Sequence, residues 1–332
     1  MDIKRIIKRA TEEVKEVIEL LRYSSLKETY ITVLAMIDIR ILSRNGYQET
    51  TRKINHLQLK HKVLLNYLTK KYRDYYENYD YCKALSNDEN MEDCIWICWW
   101  QGIDKAPELV KKCIESIKRN AGNHKVIIIT DYNYSEYVKF PNWLEEKRKR
   151  GVISRTHFSD ILRLELLAEH GGLWLDSTFL CVSNNFDTYF NQNVWSIKRP
   201  DYAHCSVACG YFANFSLACK YESRRIFVVI RDYLLDYWKK NDTIIDYLLT
   251  DYLIVLAQKN CAEVANAFEK IAPNNPCCDN LSSLLGKPYD EHVWKELKED
   301  TSLFKLTWKH EFPLKKNEKD TFYCKLLSGS LY

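Results

Sequence analysis

With 332 residues, 46% of them apolar and 13% aromatic, the chain can bury a substantial core in one large domain or two, and 9 Gly with 7 Pro are too few for a loop-rich β protein or a disordered linker. Its longest uncharged apolar run, Tyr30 to Ile37, is far short of the ~20 residues that span a bilayer, and "MDIKRIIKRATEEVKE" at the N-terminus has no apolar signal core, so a cytoplasmic location is expected. The net charge of +4 is too small and too dispersed for a nucleic-acid binder, yet residues 1 to 80 hold 16 Lys and Arg against 11 Asp and Glu, a local +5 that suits an anionic membrane surface.

Twelve cysteines scattered through a chain without an export signal read as reduced thiols. The competing reading is a zinc site from two C-x3-C pairs, Cys94/Cys98 and Cys205/Cys209. Four N-x-[ST] matches, at Asn133, Asn214, Asn241 and Asn280, are what an Asn-rich chain yields by chance.

From the front, Ile3, Ile6, Ile7, Val14, Val17, Ile18 and Leu21 recur at helical spacing among charges that include Lys4, Arg5, Lys8 and Arg9. A second helical stretch, "INHLQLKHKVLLNYLTKKYRDYY", is basic and rich in tyrosine. The pair is expected either to cap the next domain or to lie on a membrane surface. The acidic break Ser86 to Asp93 closes this region, giving an N-terminal helical unit over 1–90 and a second domain over 91–332.

Beyond the break the texture becomes strand and helix in alternation: "CIWICWW" a strand, "APELVKKCIESIKRN" a helix, "HKVIIITD" a strand, "RTHFSDILRLELLAEH" a helix, "GLWLD" a strand. That order predicts an α/β fold around parallel strands with helical crossovers. Helices follow in "SRRIFVVIRDYLLDYW", "IIDYLLTDYLIVLAQ" and "EVANAFEKIA", before a last strand in "SLFKLTWK".

Ligands of open α/β sheets bind beyond the carboxyl ends of the strands, and two such ends here are acidic, Asp131 and Asp176. Asp131 can equally cap a turn. Ahead of Asp176, Gly171 and Gly172 let the chain turn sharply out of the preceding helix, on which Asp160 and Arg163 share a face at i, i+3 spacing. Such a pair is by itself most often a surface ion pair of little energetic weight.

Together these residues, Ser159-Asp160, Arg163, Gly171-Gly172, Trp174 and Asp176-Ser177-Thr178, resemble the nucleotide-sugar motif of family 32 glycosyltransferases, specifically the bacterial capsular polysaccharide synthesis proteins and, more distantly, the clostridial glucosylating toxins. "IWICWWQGIDKAPELVKKCIES", "YVKFPNWL" and "SLFKLTWK" match further segments in order, so the resemblance covers roughly residues 93 to 310. It implies a GT-A fold, a Rossmann-like mixed sheet with flanking helices, joined to the N-terminal helical segment and a helix-rich C-terminal part. The implied activity is retaining transfer of a hexose from a nucleotide-diphosphate sugar, a UDP-sugar above all, to a lipid-linked oligosaccharide of a surface polysaccharide, on the cytoplasmic face of the membrane. Transfer to protein, or a donor-binding scaffold without catalysis, are the alternatives.

By the same resemblance Asp176 would ligate Mn²⁺ or Mg²⁺, a hard cation neutralising the departing diphosphate, while Asp160 accepts from donor hydroxyls and Arg163 donates to the sugar or diphosphate. Trp96, or its neighbours Trp99 and Trp100, would stack on the nucleobase, and Asp131 would join the donor site. Thr178 stands where the second carboxylate of Asp-x-Asp is usual, so His310 is expected to complete the metal set, with Lys305 or Lys309 giving fixed positive charge. The motif contains no certain nucleophile, which favours same-face attack by the acceptor with the leaving phosphate as base.

Overall fold

The computed structural model describes residues 11, 14–44, 50–85, 89–200 and 206–332. Lys4, Arg5, Lys8, Arg9 and Cys205 therefore lie outside the described residues.

The α/β class read from the sequence is the one observed. Strands β1 (Cys94–Cys98), β2 (Lys125–Ile129) and β3 (Gly172–Leu175) run parallel, in the order β2-β1-β3, joined by the helices Glu108–Asn120 and Arg155–His170. Two short strands that no alternation in the sequence announced, β5 (Val194–Ser196) and β6 (Ser216–Cys219), complete the sheet, with β6 antiparallel to both β3 and β5. The sheet is thus mixed, in the order β2-β1-β3-β6-β5. β4 (Phe179–Cys181) leaves it to pair antiparallel with β7 (Leu303–Lys305).

β1 is buried along its whole length because both faces are covered. Cys94, Trp96 and Cys98 join one apolar cluster with Phe158, Leu162 and Ile226, while Ile95 and Ile97 join a second with Val110 and Ile114. The first cluster also takes in Leu20, Leu64, Leu68 and Tyr76, so the N-terminal helices share a continuous core with the sheet-covering helices. Tyr76 stacks on Tyr233 with ring centroids 4.4 Å apart, His61 meets the Tyr252 hydroxyl at 2.6 Å, and a buried ion pair joins Lys60 to Asp246.

Local chemistry sets the element boundaries. The helix Leu26–Arg44 begins in a reciprocal cap in which Ser25 N–H donates to Glu28 Oε2 at 2.8 Å while Glu28 N–H donates to Ser25 Oγ at 3.3 Å. The helix expected from Ile244 begins instead at Leu249, because the Asp246 carboxylate accepts Leu248 N–H at 2.9 Å and closes a turn. The expected strand through Trp308 stops at Lys305. The described cysteines are free thiols, with Cys94 and Cys98 inside the packed sheet rather than on a metal-binding turn. Among the described residues no helix is long and apolar enough to cross a membrane.

Candidate active site

The carboxyl end of β3 carries Asp176, and the helix before it is positioned by a turn only glycine can make. Ser154 caps the start of that helix, its side chain accepting His157 N–H, and the helix ends at Gly171, φ +75°. Gly172, φ +94°, follows so close to β1 that a Cβ there would come within 2.7 Å of Cys94 O and of Trp96 Nε1. The helix Arg155–His170 and β3 are thereby folded back on each other, and residues 13 apart in sequence meet.

Arg163 is the meeting point. The residue is only 4% exposed, with Nη1 3.0 Å from Asp160 Oδ1 and Nη2 donating to Asp176 Oδ1 at 3.0 Å, while its charge lies 5.0 Å from the Trp174 ring centroid. Among the described residues, Nε and Nη1 of Arg163 are buried and find no acceptor in hydrogen-bonding geometry. Trp174 Nε1 adds a hydrogen bond to Asp176 Oδ1 at 3.0 Å.

The other oxygen of Asp176 is taken by a residue from far along the chain. β7 pairs with β4 so that Lys305 stands opposite Phe179, and Leu306 N–H donates to Thr178 O at 3.0 Å. Lys305 Nζ then donates to Asp176 Oδ2 at 2.9 Å and to Thr178 Oγ1 at 2.7 Å. Burial works to raise the Asp176 pKa, but the charges of Lys305 and Arg163 and the hydrogen bonds from Lys305 and Trp174 outweigh it and hold the carboxyl below the usual aspartate value.

The expected metal set is not assembled. Asp176 and Thr178 are joined through Lys305, whereas His310 is exposed and packs its ring near Phe312, with centroids 6.4 Å apart. No group of three or more His, Cys, Asp or Glu able to hold a metal ion exists among the described residues. One carboxylate with both oxygens engaged, plus one hydroxyl, supplies at most a minority of the about six oxygens a divalent ion takes, and Lys305 stands between the two.

Two further expectations are corrected by packing. Trp96 cannot stack on a base, since it is fully buried, donates through Nε1 to Gly171 O at 2.9 Å and abuts Tyr137 and His170. Lys309 is exposed and pairs with none of the site carboxylates. Trp100 is also buried, its Nε1 donating to Ser159 Oγ at 2.7 Å, immediately before Asp160. Trp99 is the tryptophan left at the mouth, its buried Nε1 without a partner among the described residues and its ring edge-on to Trp308, 5.8 Å between centroids. Asp131 does belong to this end of the sheet: its N–H donates to Trp100 O at 2.9 Å, and its carboxylate is held by Arg148 and, at 3.0 Å, by Arg155.

Asp251 was missed. It lies in the first turn of the helix Leu249–Asn260, facing Asp160 and Arg163, with Asn214 Nδ2 at 3.4 Å and no ion-pair partner among the described residues. Burial, and next the charge of Asp160, push it up to about 7. No short motif marks "LLTDYLIV", so only the fold brings it here.

The arrangement is two aspartates bridged by an arginine beside a strand-end lysine, a compact row of alternating charge. The sequence pattern of the capsular polysaccharide synthesis protein family matches residues 44–326. The chain belongs to that family. A curated relative, the O-glycosyltransferase PaGT of Phomopsis amygdali, is 28% identical over 126 residues, covering 35% of this chain and 28% of its own length, so the chain spans little more than a quarter of that protein. A solved structure, the PaToxG glycosyltransferase, superposes at a TM-score of 0.35 with 15% identity, covering 63% of this chain and 83% of its own. For a capsular polysaccharide synthesis protein, the residues Asp160, Arg163, Asp176 and Lys305 form the candidate active site.

Proposed function

We propose that this protein is a retaining glycosyltransferase that moves a hexose from a UDP-sugar to a lipid-linked oligosaccharide in surface polysaccharide synthesis. The observation that carries the reading is the bridge Asp160–Arg163–Asp176 at the carboxyl end of β3, with Lys305 on the other oxygen of Asp176. Family membership and the O-glycosyltransferase relative support it.

In this reading Asp160 accepts hydrogen bonds from donor hydroxyls, Arg163 donates to the sugar or the diphosphate, and Trp99 with Trp308 flanks the nucleobase. The acceptor oxygen bonds to the anomeric carbon as the bond from that carbon to the diphosphate oxygen breaks. The electron pair leaves with the phosphate, which takes the acceptor proton on the same face. Fixed cations aimed at the departing oxygens supply the electrostatic stabilisation.

A panel of UDP- and GDP-hexoses, with release of nucleotide diphosphate as readout and the anomer of the first product followed by NMR, tests this. Turnover of one UDP-hexose with an initial α-product is expected; absence of release from every donor would sink the reading.

We propose also that the N-terminal helices rest on the anionic cytoplasmic leaflet, where lipid-linked acceptors lie. Supporting this, Val14, Ile18, Leu21, Leu26 and Tyr30 are exposed apolar residues within the basic segment.

A further inference from the structure

We infer that Lys305 is the resident cation of this site, its ammonium standing where a glycosyltransferase using a divalent ion would hold metal, so that the diphosphate leaves against protein charge alone. This rests on the donor chemistry proposed above. Four observations converge on it.

The first is the seat itself. Lys305 Nζ lies between Asp176 Oδ2, 2.9 Å, and Thr178 Oγ1, 2.7 Å, the two side chains at the first and third positions of the strand-end motif. The second is charge. A motif with two carboxylates offers −2, matched to a divalent ion, but Asp176 with Thr178 offers −1, matched to one ammonium. Thr178 brings no negative charge to a divalent ion and is an ordinary acceptor for N–H. The neutral threonine and the single ammonium are thus matched in charge.

The third is that Lys305 is held and not merely resting there. Its backbone N–H donates to Cys278 O at 2.8 Å, its strand is paired with β4, and its ammonium sits 5.5 and 5.3 Å from the ring centroids of Phe179 and Phe215. The fourth is spare capacity. An ammonium has three N–H donors, and among the described residues two find acceptors, which leaves one for a phosphoryl oxygen. Arg163, bound to the other oxygen of Asp176, supplies the second cation.

The experiment compares the parent protein with Lys305→Met and Lys305→Arg. Release of UDP from the best donor is measured in excess EDTA and in Mn²⁺, and Mn²⁺ binding is followed by electron paramagnetic resonance with and without UDP. The parent should turn over equally in EDTA and Mn²⁺, and UDP should add no Mn²⁺ binding beyond what UDP alone gives in buffer. Lys305→Met should lose about 100-fold or more of turnover in EDTA, in line with removal of one preorganised electrostatic group, and gain a Mn²⁺ site on the vacated oxygens in the presence of UDP. Lys305→Arg should retain metal-free turnover above Lys305→Met. Loss of parent activity in EDTA with recovery in Mn²⁺, or a stoichiometric Mn²⁺ site in the parent with UDP, overturns the inference. If Lys305→Met does not fold, those two parent measurements still decide. A parent that releases UDP from no donor defeats the transferase reading instead, while the Mn²⁺ spectrum continues to report on the seat.

Discussion

Lys305 and Asp176, 129 positions apart, meet at 2.9 Å because β7 pairs with β4 just beyond the end of β3. The pairing turns a strand-end carboxylate into part of an alternating charge row, Asp160, Arg163, Asp176, Lys305, in which Asp176 bridges the two cations. Removing the centre should disconnect the row. Asp176→Asn is expected to lower donor turnover by about two orders of magnitude, comparable to loss of a preorganised electrostatic group, while near-native circular dichroism and UDP binding persist. A folded Asp176→Asn protein that turns over like the parent would remove Asp176 from the site.

Arg163 calls for a different substitution, because truncating one partner of a buried ion pair costs about 3–5 kcal/mol and confuses stability with function. Arg163→Lys keeps the charge but cannot reach Asp160 and Asp176 at once with a planar fork. The expected result is at least about a tenfold fall in kcat/KM, roughly 1.4 kcal/mol of transition-state stabilisation, with UDP binding by calorimetry retained. Equal kcat/KM in the two proteins means that the bridge is an ordinary ion pair.

Much of this was legible in the sequence, and what was not has a physical reason. Asp160, Arg163, the double glycine and Asp176 fall within 17 residues, so helix periodicity and a glycine turn suffice to place them. Gly172→Ala tests that reading: with φ at +94° and carbonyl and indole atoms 2.7 Å from any Cβ, it should destabilise by more than about 1 kcal/mol in denaturant titration. Unfolding at the parental midpoint would show that the turn tolerates a side chain. Lys305 was reachable only through resemblance, since the β4–β7 pairing leaves no local periodicity. Trp96 misled because β1 is covered on both faces, and alternation alone cannot tell a core tryptophan from one at the mouth. Asp251 left no trace, because its surroundings come from Asn214, Asp160 and Arg163 on other elements.

Asp251 gives a pH dependence with a definite sign. Its carboxyl is raised to about 7 in the folded protein against about 3.9 unfolded, so the native state binds the proton more tightly. Its contribution to stability is fully present below about pH 4 and is lost as pH rises through 7. Asp251→Asn cannot ionise. Its melting temperature should exceed the parent's at pH 8 by a few degrees, since a kcal/mol shifts a chain this long by less than the ~2–4 °C of smaller domains, and the gap should close towards pH 4. Asp176, whose pKa is held down, predicts the reverse: Asp176→Asn should be the less stable protein at pH 7, with the deficit shrinking as pH falls through the lowered pKa. A gap for Asp251→Asn that is constant across pH would show that the carboxyl titrates normally.

The membrane reading can be tested on the described helices rather than on the basic N-terminus. Ile18 is 51% exposed and Leu26 80% exposed, on segments whose opposite sides supply Leu20 and Ala35 to buried clusters, so serine at either position removes apolar surface from the outside without opening a core cavity. Burying a methylene in the acyl boundary contributes about 0.8 kcal/mol, so two such side chains weigh as much as several surface lysines at roughly 1 kcal/mol each. The double variant Ile18→Ser/Leu26→Ser should therefore co-sediment with phosphatidylserine-containing liposomes at least about tenfold more weakly than the parent and slow transfer to a lipid-linked acceptor. Turnover of the soluble donor should be unchanged, because the Asp160–Lys305 row lies on other elements. Added salt should weaken parent and variant alike, as the basic residues remain. Liposome binding equal to the parent's would leave these helices as a packed cap whose exposed apolar residues have no lipid partner.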